Sequence, residues 1–506
     1  MDSSQRPRYE WLSWQDASFV LFEHRATHMH VALLAIFELG PLRSATSGVD
    51  AARLRRYGES MLGKLPHYRQ KLVFAPLSGR PVWVDDPHFD LDYHLRHTAL
   101  PAPGSEDELK RLVGLVLSQP LDRDRPLWEM WLVEGLERER FALLIKVHHC
   151  MMDGVAGANL VTVLFRTEPD ASIPPAEGWV PRKPPSPLRL ALDEALDRAS
   201  TPFALARAAA GALRAPRQTL RRALGHAGAV AEALRDGFHR LSPTALERPI
   251  GPHRRVDWRA FELADFKALG RQLGGTVNDV VLAIVAGATR RLLERRGERL
   301  DEIDYRVVVP VNERWSSGDP GGANRVSAFF LSLPVATPDP LARFERVCGE
   351  TSRLKGSRTA EGIDLLAQLV DRAWLTGLGV RLAERVQPYN QIVSNVPGPQ
   401  YPLYVLGARL LELFPLGPLF ERQGLGTTVM SYDGRMCWGI VADRDVVPDL
   451  AALAHDVEAA LAELREAAAS RPPAEPKMRS RKVDQKRRPT PSDASPSRAP
   501  ERRGGA

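Results

Sequence analysis

Seven consecutive residues, HHCMMDG from His148 to Gly154, gather side chains that can do chemistry near neutral pH. A neutral imidazole is the usual group for taking a proton under those conditions. An alcohol hydroxyl is too weak an acid to ionise freely. A base within hydrogen-bond reach can remove its proton as the oxygen attacks an acyl carbon. If the acyl donor is a thioester it is already activated, and no serine or cysteine nucleophile is needed. Two other chemistries fit less well. Adjacent histidines on one strand do not readily ligate one ion, and Asp153 does not complete a ligand set, so no metal is expected. Cys150 has no sequence feature that would lower its thiol pKa, and direct transfer needs no acyl-cysteine.

The motif follows FALLIKV, Phe141 to Val147, an apolar run that predicts a buried strand. Neighbouring side chains of a strand point to opposite faces. Only one of His148 and His149 can therefore face a cleft, and the other is buried or bonded to structure. Asp153 lies past the turn, where it either orients a histidine or pairs with an arginine. Gly154 lets backbone or substrate pass close by. WEMWLVEGL, Trp128 to Leu136, is predicted to be the neighbouring strand, joined through the charged turn ERER. VALLAIFEL from Val31 predicts another strand, with amphipathic helices in VDAARLRRYGESMLGKL and over Glu106 to Leu121.

A Pro-rich linker follows over 166–187, then an Ala, Leu and Arg-rich helical stretch from Leu188 to Leu241. That stretch reads either as a surface layer or as a basic amphipathic surface resting on anionic lipid. A second αβ pattern runs from Pro252 to Ser470. It holds a helix over Thr276 to Gly297, strands over Tyr305–Val311 and Ala328–Val335, and a last helix over Leu450–Ala469. Thr276 as N-cap with Asp279 at the third helical position resembles a capping box, a structural account of Asp279.

The length of 506 residues exceeds one ordinary core and predicts two domains. The formal charge of +7 belongs to the tail, which from Arg471 holds 11 basic and 4 acidic residues and is expected to be disordered. The rest carries 58 of each sign, unlike a nucleic-acid enzyme with a basic fold. Three scattered cysteines suggest no disulfide framework and a reducing cytoplasm. The N-terminus lacks a signal-peptide core, and the longest apolar stretch, Val280 to Ala288, is too short for a membrane span.

The HHxxxDG spacing resembles that of the CoA-dependent acyltransferase superfamily, which includes peptide-synthetase condensation domains. Further segments resemble the bacterial wax ester synthase/diacylglycerol acyltransferase family. In order they are LSWQDASFVLFE from Leu12, FDLDYHLRHTALPAPG from Phe89, PLDRDRPLWEMWLVEGL from Pro120 and IGPHRR from Ile250. GGTVNDVVLA from Gly274, ANRV from Ala323, SNVPGP from Ser394, PLGPL and SYDGRMCWGIVAD complete the series. Cys150 stands where relatives commonly carry a small apolar residue, and Ala323 where they often carry Gly.

The resemblance implies an α/β fold with mixed sheets, in two acyltransferase-like domains with the active site in a cleft between them. The divisions expected are 1–165 with the motif, 166–250 as linker and crossover, 251–470 as the second domain and 471–506 as the tail. It implies acyl-CoA as a substrate rather than a cofactor, and diacylglycerol or a long-chain alcohol as acceptor. His149 would be the general base, with His148 and Asp153 holding the motif in shape. The family pattern also singles out Pro126, Leu127 and Trp128, and Asn278 with Asp279. Trp128 is expected to pack beneath the histidine strand. Asn278 is placed to reach the acyl carbonyl or the CoA, and Ser394 and Asn395 to lie near the cleft. Such substrates imply peripheral contact with the inner membrane face or lipid inclusions, added to the cytoplasmic location that the cysteines suggest. The rivals are transfer from a carrier-protein thioester and non-catalytic lipid binding.

Overall fold

The computed structural model describes residues 9–45, 48–152, 156–196, 242–312, 326–356 and 389–471, with a few isolated positions between 199 and 228. Asp153, Gly154, Ala323, most of the Arg-rich stretch and the tail beyond Arg471 lie outside the described residues.

The first strands are β1 (Glu10–Trp11), β2 (His30–Glu38), β3 (Gln70–Phe74), β4 (Pro81–Asp85), β5 (Leu95–Ala99), β6 (Trp128–Leu136) and β7 (Arg140–His148). After the crossover come β8 (Arg254–Glu262), β9 (Tyr305–Asn312), β10 (Val326–Leu333), β11 (Gln391–Pro397), β12 (Tyr404–Val405), β13 (Ala408–Leu416), β14 (Leu425–Tyr432) and β15 (Arg435–Asp443). They build two six-stranded mixed sheets, ordered β12-β13-β2-β7-β6-β5 and β10-β9-β11-β14-β15-β8, and a small sheet β1-β4-β3. The helices used below are α1 (Trp14–Phe22), α2 (Ala51–Met61), α3 (Glu106–Leu117), α4 (Ala156–Leu164), α5 (Leu263–Leu273), α6 (Val277–Arg295), α7 (Pro340–Gly356) and α8 (Leu450–Ala469).

Strand alternation explains how the sheets pack. Leu34, Ile36, Ala142 and Leu144 face a core shared with α3, α6, α8, Trp258 and Phe414. Ala35, Phe37, Leu143 and Ile145, on the opposite parity, face a second core that belongs to the N-terminal region. Buried on both faces, β2 and β7 need near-continuous apolar sequence, and both have it. The β6–β7 hairpin turns at Arg138 and Glu139, with φ of 59° and 52°, the paired left-handed geometry that suits a tight hairpin. Near Gly135 the register of β6 slips against β7 between Val133 and Leu136.

One arrangement departs from the division at 251–470. β13 lies in the N-terminal sheet, antiparallel to β2, with Leu416 opposite Ala32 and Leu410 opposite Phe37. β14 and β15 then return to the C-terminal sheet. The reason lies in what β13 buries: Leu410 and Leu413 enter the N-terminal core while Phe414 and Leu416 enter the shared one. The helical pattern after Asp50 also ends earlier than its apolar spacing predicts. α2 stops at Met61 and the chain tightens into a 3-10 turn over Leu62–Lys64.

Candidate active site

β7 ends at His148, and His149–Met151 form a single 3-10 turn. The His148 side chain is 1% exposed. Its Nδ1 accepts a hydrogen bond from the Cys150 N–H at 3.2 Å, capping the turn. Its backbone N–H donates to the Leu127 carbonyl at 2.9 Å, and it stands opposite His30 of β2. The His149 N–H donates to the Met29 carbonyl at 2.7 Å. The His149 ring stacks on Phe19 of α1, with centroids 3.8 Å apart and planes at 24°. Its Nδ1 is sealed from solvent and, among the described residues, has no hydrogen-bond partner. The residue as a whole keeps partial exposure, and among the described residues no hydrogen bond engages its Nε2. The ring itself sits in a dense shell of protein atoms. That burial, reinforced by His148, pushes its pKa down to about 4 and keeps it neutral at pH 7.

Behind the turn lies a buried carboxylate that the sequence did not single out. Glu23 follows the last residue of α1, with its side chain 8% exposed. Its Oε1 stands 3.1 Å from His30 Nε2, and its Oε2 stands 3.5 Å from His148 Nε2. Arg123 donates to Oε2 through Nη2 at 2.6 Å and Nε at 3.0 Å, and the Met29 N–H donates to Oε1 at 3.3 Å. Burial alone would raise this carboxyl's pKa. The histidines outweigh it and hold the group far below the usual carboxylate range. His30 is pushed down to about 3, chiefly by burial. On the same face, Lys146 donates to the carbonyls of Val116 at 2.9 Å and Gln119 at 2.5 Å, and burial lowers it to about 8. Arg254 of β8 joins the two halves here, donating to the carbonyls of Gly251 and Ala26. Glu23 ends the segment LSWQDASFVLFE and His30 opens β2. Their tie to His148 becomes visible only once β2 is paired with β7.

The other expected residues divide into two groups. Pro126, Leu127 and Trp128 lie against the histidine strand. Trp128 is buried opposite Val147, its indole N–H donates to the Tyr68 carbonyl at 2.8 Å, and its ring stacks on His94 at 4.5 Å. Asn278 and Asn395 meet each other: the Asn395 amide donates to Asn278 Oδ1 at 3.4 Å. Ser394 sits beside them on β11, opposite Thr428. Among the described residues, no hydrogen bond or ion pair joins this second group to His148 or His149. Asp279 is occupied structurally. It accepts from the Thr276 N–H at 2.8 Å and hydroxyl at 2.7 Å, completing a reciprocal cap on α6, and from the Thr351 hydroxyl at 2.7 Å. Cys150 is buried, and that burial raises its thiol pKa well above the ordinary value, so a thiolate is not available.

An open cleft of about 550 Å³ lies between Ser105, Lys110, Trp258, Phe414 and Arg435, and neither motif histidine lines it. Among the described residues no cluster of His, Cys, Asp and Glu could hold a metal ion, and no helix is long and apolar enough to cross a membrane.

Comparison with known proteins identifies the family. Residues 12–281 match the wax ester synthase/diacylglycerol acyltransferase catalytic domain, and residues 322–465 match the C-terminal domain of that family. A Mycobacterium tuberculosis protein, named as a candidate diacylglycerol O-acyltransferase (MT1809), is 36% identical over 477 residues, covering 92% of this chain and 91% of its own. A second from the same species, also so named (tgs1), is 33% identical over 473 residues, covering 90% and 95%. The wax ester synthase/diacylglycerol acyltransferase from Marinobacter aquaeolei VT8 superposes with a TM-score of 0.65 at 28% identity, covering 91% of this chain and all of that one. The first condensation domain of the calcium-dependent antibiotic synthetase shares the fold, with a TM-score of 0.54 at 18% identity over 91% of this chain and 96% of that one. A histidine turn ending a buried strand, two mixed sheets sharing one core, and matches across both domains converge on one conclusion: this chain is an acyltransferase of the wax ester synthase/diacylglycerol acyltransferase family.

Proposed function

We propose that the protein transfers a long-chain acyl group from acyl-CoA to the hydroxyl of diacylglycerol, of a long-chain alcohol, or of both, with His149 as general base. The observation that carries this reading is the division of labour within the motif. Both nitrogens of His148 face structural partners, whereas among the described residues no hydrogen bond occupies Nε2 of the neutral His149 ring. The acceptor O–H gives its proton to His149 Nε2 as its oxygen bonds to the thioester carbonyl carbon. A base this weak cannot hold the proton beforehand, so transfer accompanies attack. The tetrahedral intermediate collapses by breaking the C–S bond. The departing thiolate is a stronger base than the buried imidazole and takes the proton, which regenerates His149.

Asn278 at the start of α6 and Asn395 on β11 form a polar pair and are candidates to hold the acyl carbonyl or part of the CoA in a cleft between the two sheets. Asp153 and Gly154 complete the motif in sequence. Contact with a lipid surface is supported by the helical residues 187–196. Leu188, Leu192 and Leu196, spaced four apart and so on one face, are 71%, 52% and 68% exposed.

The test is transfer of labelled palmitoyl-CoA to diacylglycerol and to hexadecanol, in parallel, by wild type and His149→Ala. Ester formation lost in the variant supports the mechanism, and the product ratio names the acceptor. No CoA release with either acceptor from folded wild type sinks the substrate assignment and turns attention to carrier-bound thioesters or lipid binding.

A further inference from the structure

We propose that Glu23 is the positioning residue of the histidine motif. Its carboxylate, delivered by α1, fixes the tautomer of His148 and thereby the turn that presents His149. This inference rests on the reading of His149 as the base.

The geometry constrains His148 from two sides. Its Nδ1 accepts from the Cys150 N–H, so the ring proton must sit on Nε2. Nε2 faces Glu23 Oε2 at 3.5 Å, where a carboxylate favours a proton on the near nitrogen. The other tautomer would set an N–H against the Cys150 N–H and remove the cap that shapes His149–Met151. Glu23 also acts on the backbone of the neighbouring strand. It accepts from the Met29 N–H, and the Met29 carbonyl receives the His149 N–H. One carboxylate thus holds the turn through a side chain and through a strand end. Phe19, one helical turn earlier on α1, supplies the stacking surface for the His149 ring. Arg123 balances the charge of Glu23, and His30 crowds its other oxygen. The carboxylate is therefore kept charged and fixed in place.

The experiment uses full-length protein and three variants: Glu23→Gln, Glu23→Asp and the double variant Glu23→Gln/Arg123→Met. The double variant removes the buried charge together with its partner, which protects the fold if Glu23→Gln alone is unstable. Two readouts are taken. Steady-state kinetics with palmitoyl-CoA separate kcat from KM. Nitrogen-15 NMR of histidine-labelled protein, assigned with His148→Gln, reports the His148 tautomer without any turnover. The expected result is a kcat about 10- to 100-fold lower with KM little changed, the range seen when a supporting partner of an active-site group is lost. The Nε2–H pattern of His148 should also give way in part to Nδ1–H, against the hold of the Cys150 N–H, and Glu23→Asp should recover part of both. A folded double variant with wild-type kcat, or one whose His148 keeps its tautomer while kcat falls, overturns the proposal. Absence of transfer by wild type would instead refute the assigned reaction, and the tautomer measurement would still decide the role of Glu23.

Discussion

At the scale of single residues, the feature with the widest consequence is the low basicity of His149. Its active form is the neutral ring, and burial places its folded pKa near 4 instead of the ordinary 6.5. The neutral fraction therefore stays close to one as pH falls through 6. A profile of kcat/KM against pH should be flat between pH 7 and 5 and bend downward only toward 4. A limb centred near 6.5 would show that the free enzyme holds this ring in water. His149→Ala should reduce transfer by about 10²- to 10⁴-fold, the usual contribution of a general base, with thermal unfolding measured alongside to exclude loss of fold.

At the scale of elements, α6 and the helical residues 187–196 give separable tests. Thr276 and Asp279 satisfy each other's backbone groups at the start of α6, so Thr276→Val should cost about 1 kcal/mol of stability in a urea titration. Asn278 follows the cap directly, and a fall in transfer larger than the stability loss explains would connect this helix end to substrate. Replacing Leu188, Leu192 and Leu196 with serine should weaken co-sedimentation with anionic vesicles while leaving the melting temperature unchanged, because these side chains pack on little. Much at this scale was legible from sequence. β6, β7 and their hairpin follow from apolar runs flanking ERER, and α8 follows from its period. Strand parity predicts that the two histidines point apart, but β7 ends at His148 and His149 opens a 3-10 turn, so the turn and not strand alternation sets His149 apart. Two things were not legible. ARLLELFPL is as apolar as any strand of either sheet, so nothing local assigns β13 to β2. Glu23 sits at a helix end, and its partners come from β2, β7 and the loop before β6, so its role exists only in three dimensions.

At the scale of the whole molecule, buried histidines set the response to acid. Burial lowers the folded pKa values of His28, His30, His94 and His149 below the ordinary 6.5. Below that pH the unfolded chain binds protons that the native chain refuses. Their contribution to stability is complete above 6.5 and is lost progressively as pH falls toward 4. Glu23, with its carboxyl held low, adds a loss of the same sign at more acid pH. Thermal melting followed from pH 7 to 4.5 should show a steady fall in Tm, and a constant Tm would mean these rings are hydrated in the native state.

The passage of β13 into the N-terminal sheet makes the gene harder to divide than its two family domains suggest. A fragment ending near residue 250 would leave β2 with one ladder edge open, a flat apolar template for sticking to other chains. Such a fragment should aggregate when produced alone and become soluble when co-produced with residues 251–506, which would restore the missing strand in trans. The two halves are therefore expected to behave as obligate complements, and shuffling either one between relatives should succeed only when β13 travels with the β2 it was fitted to.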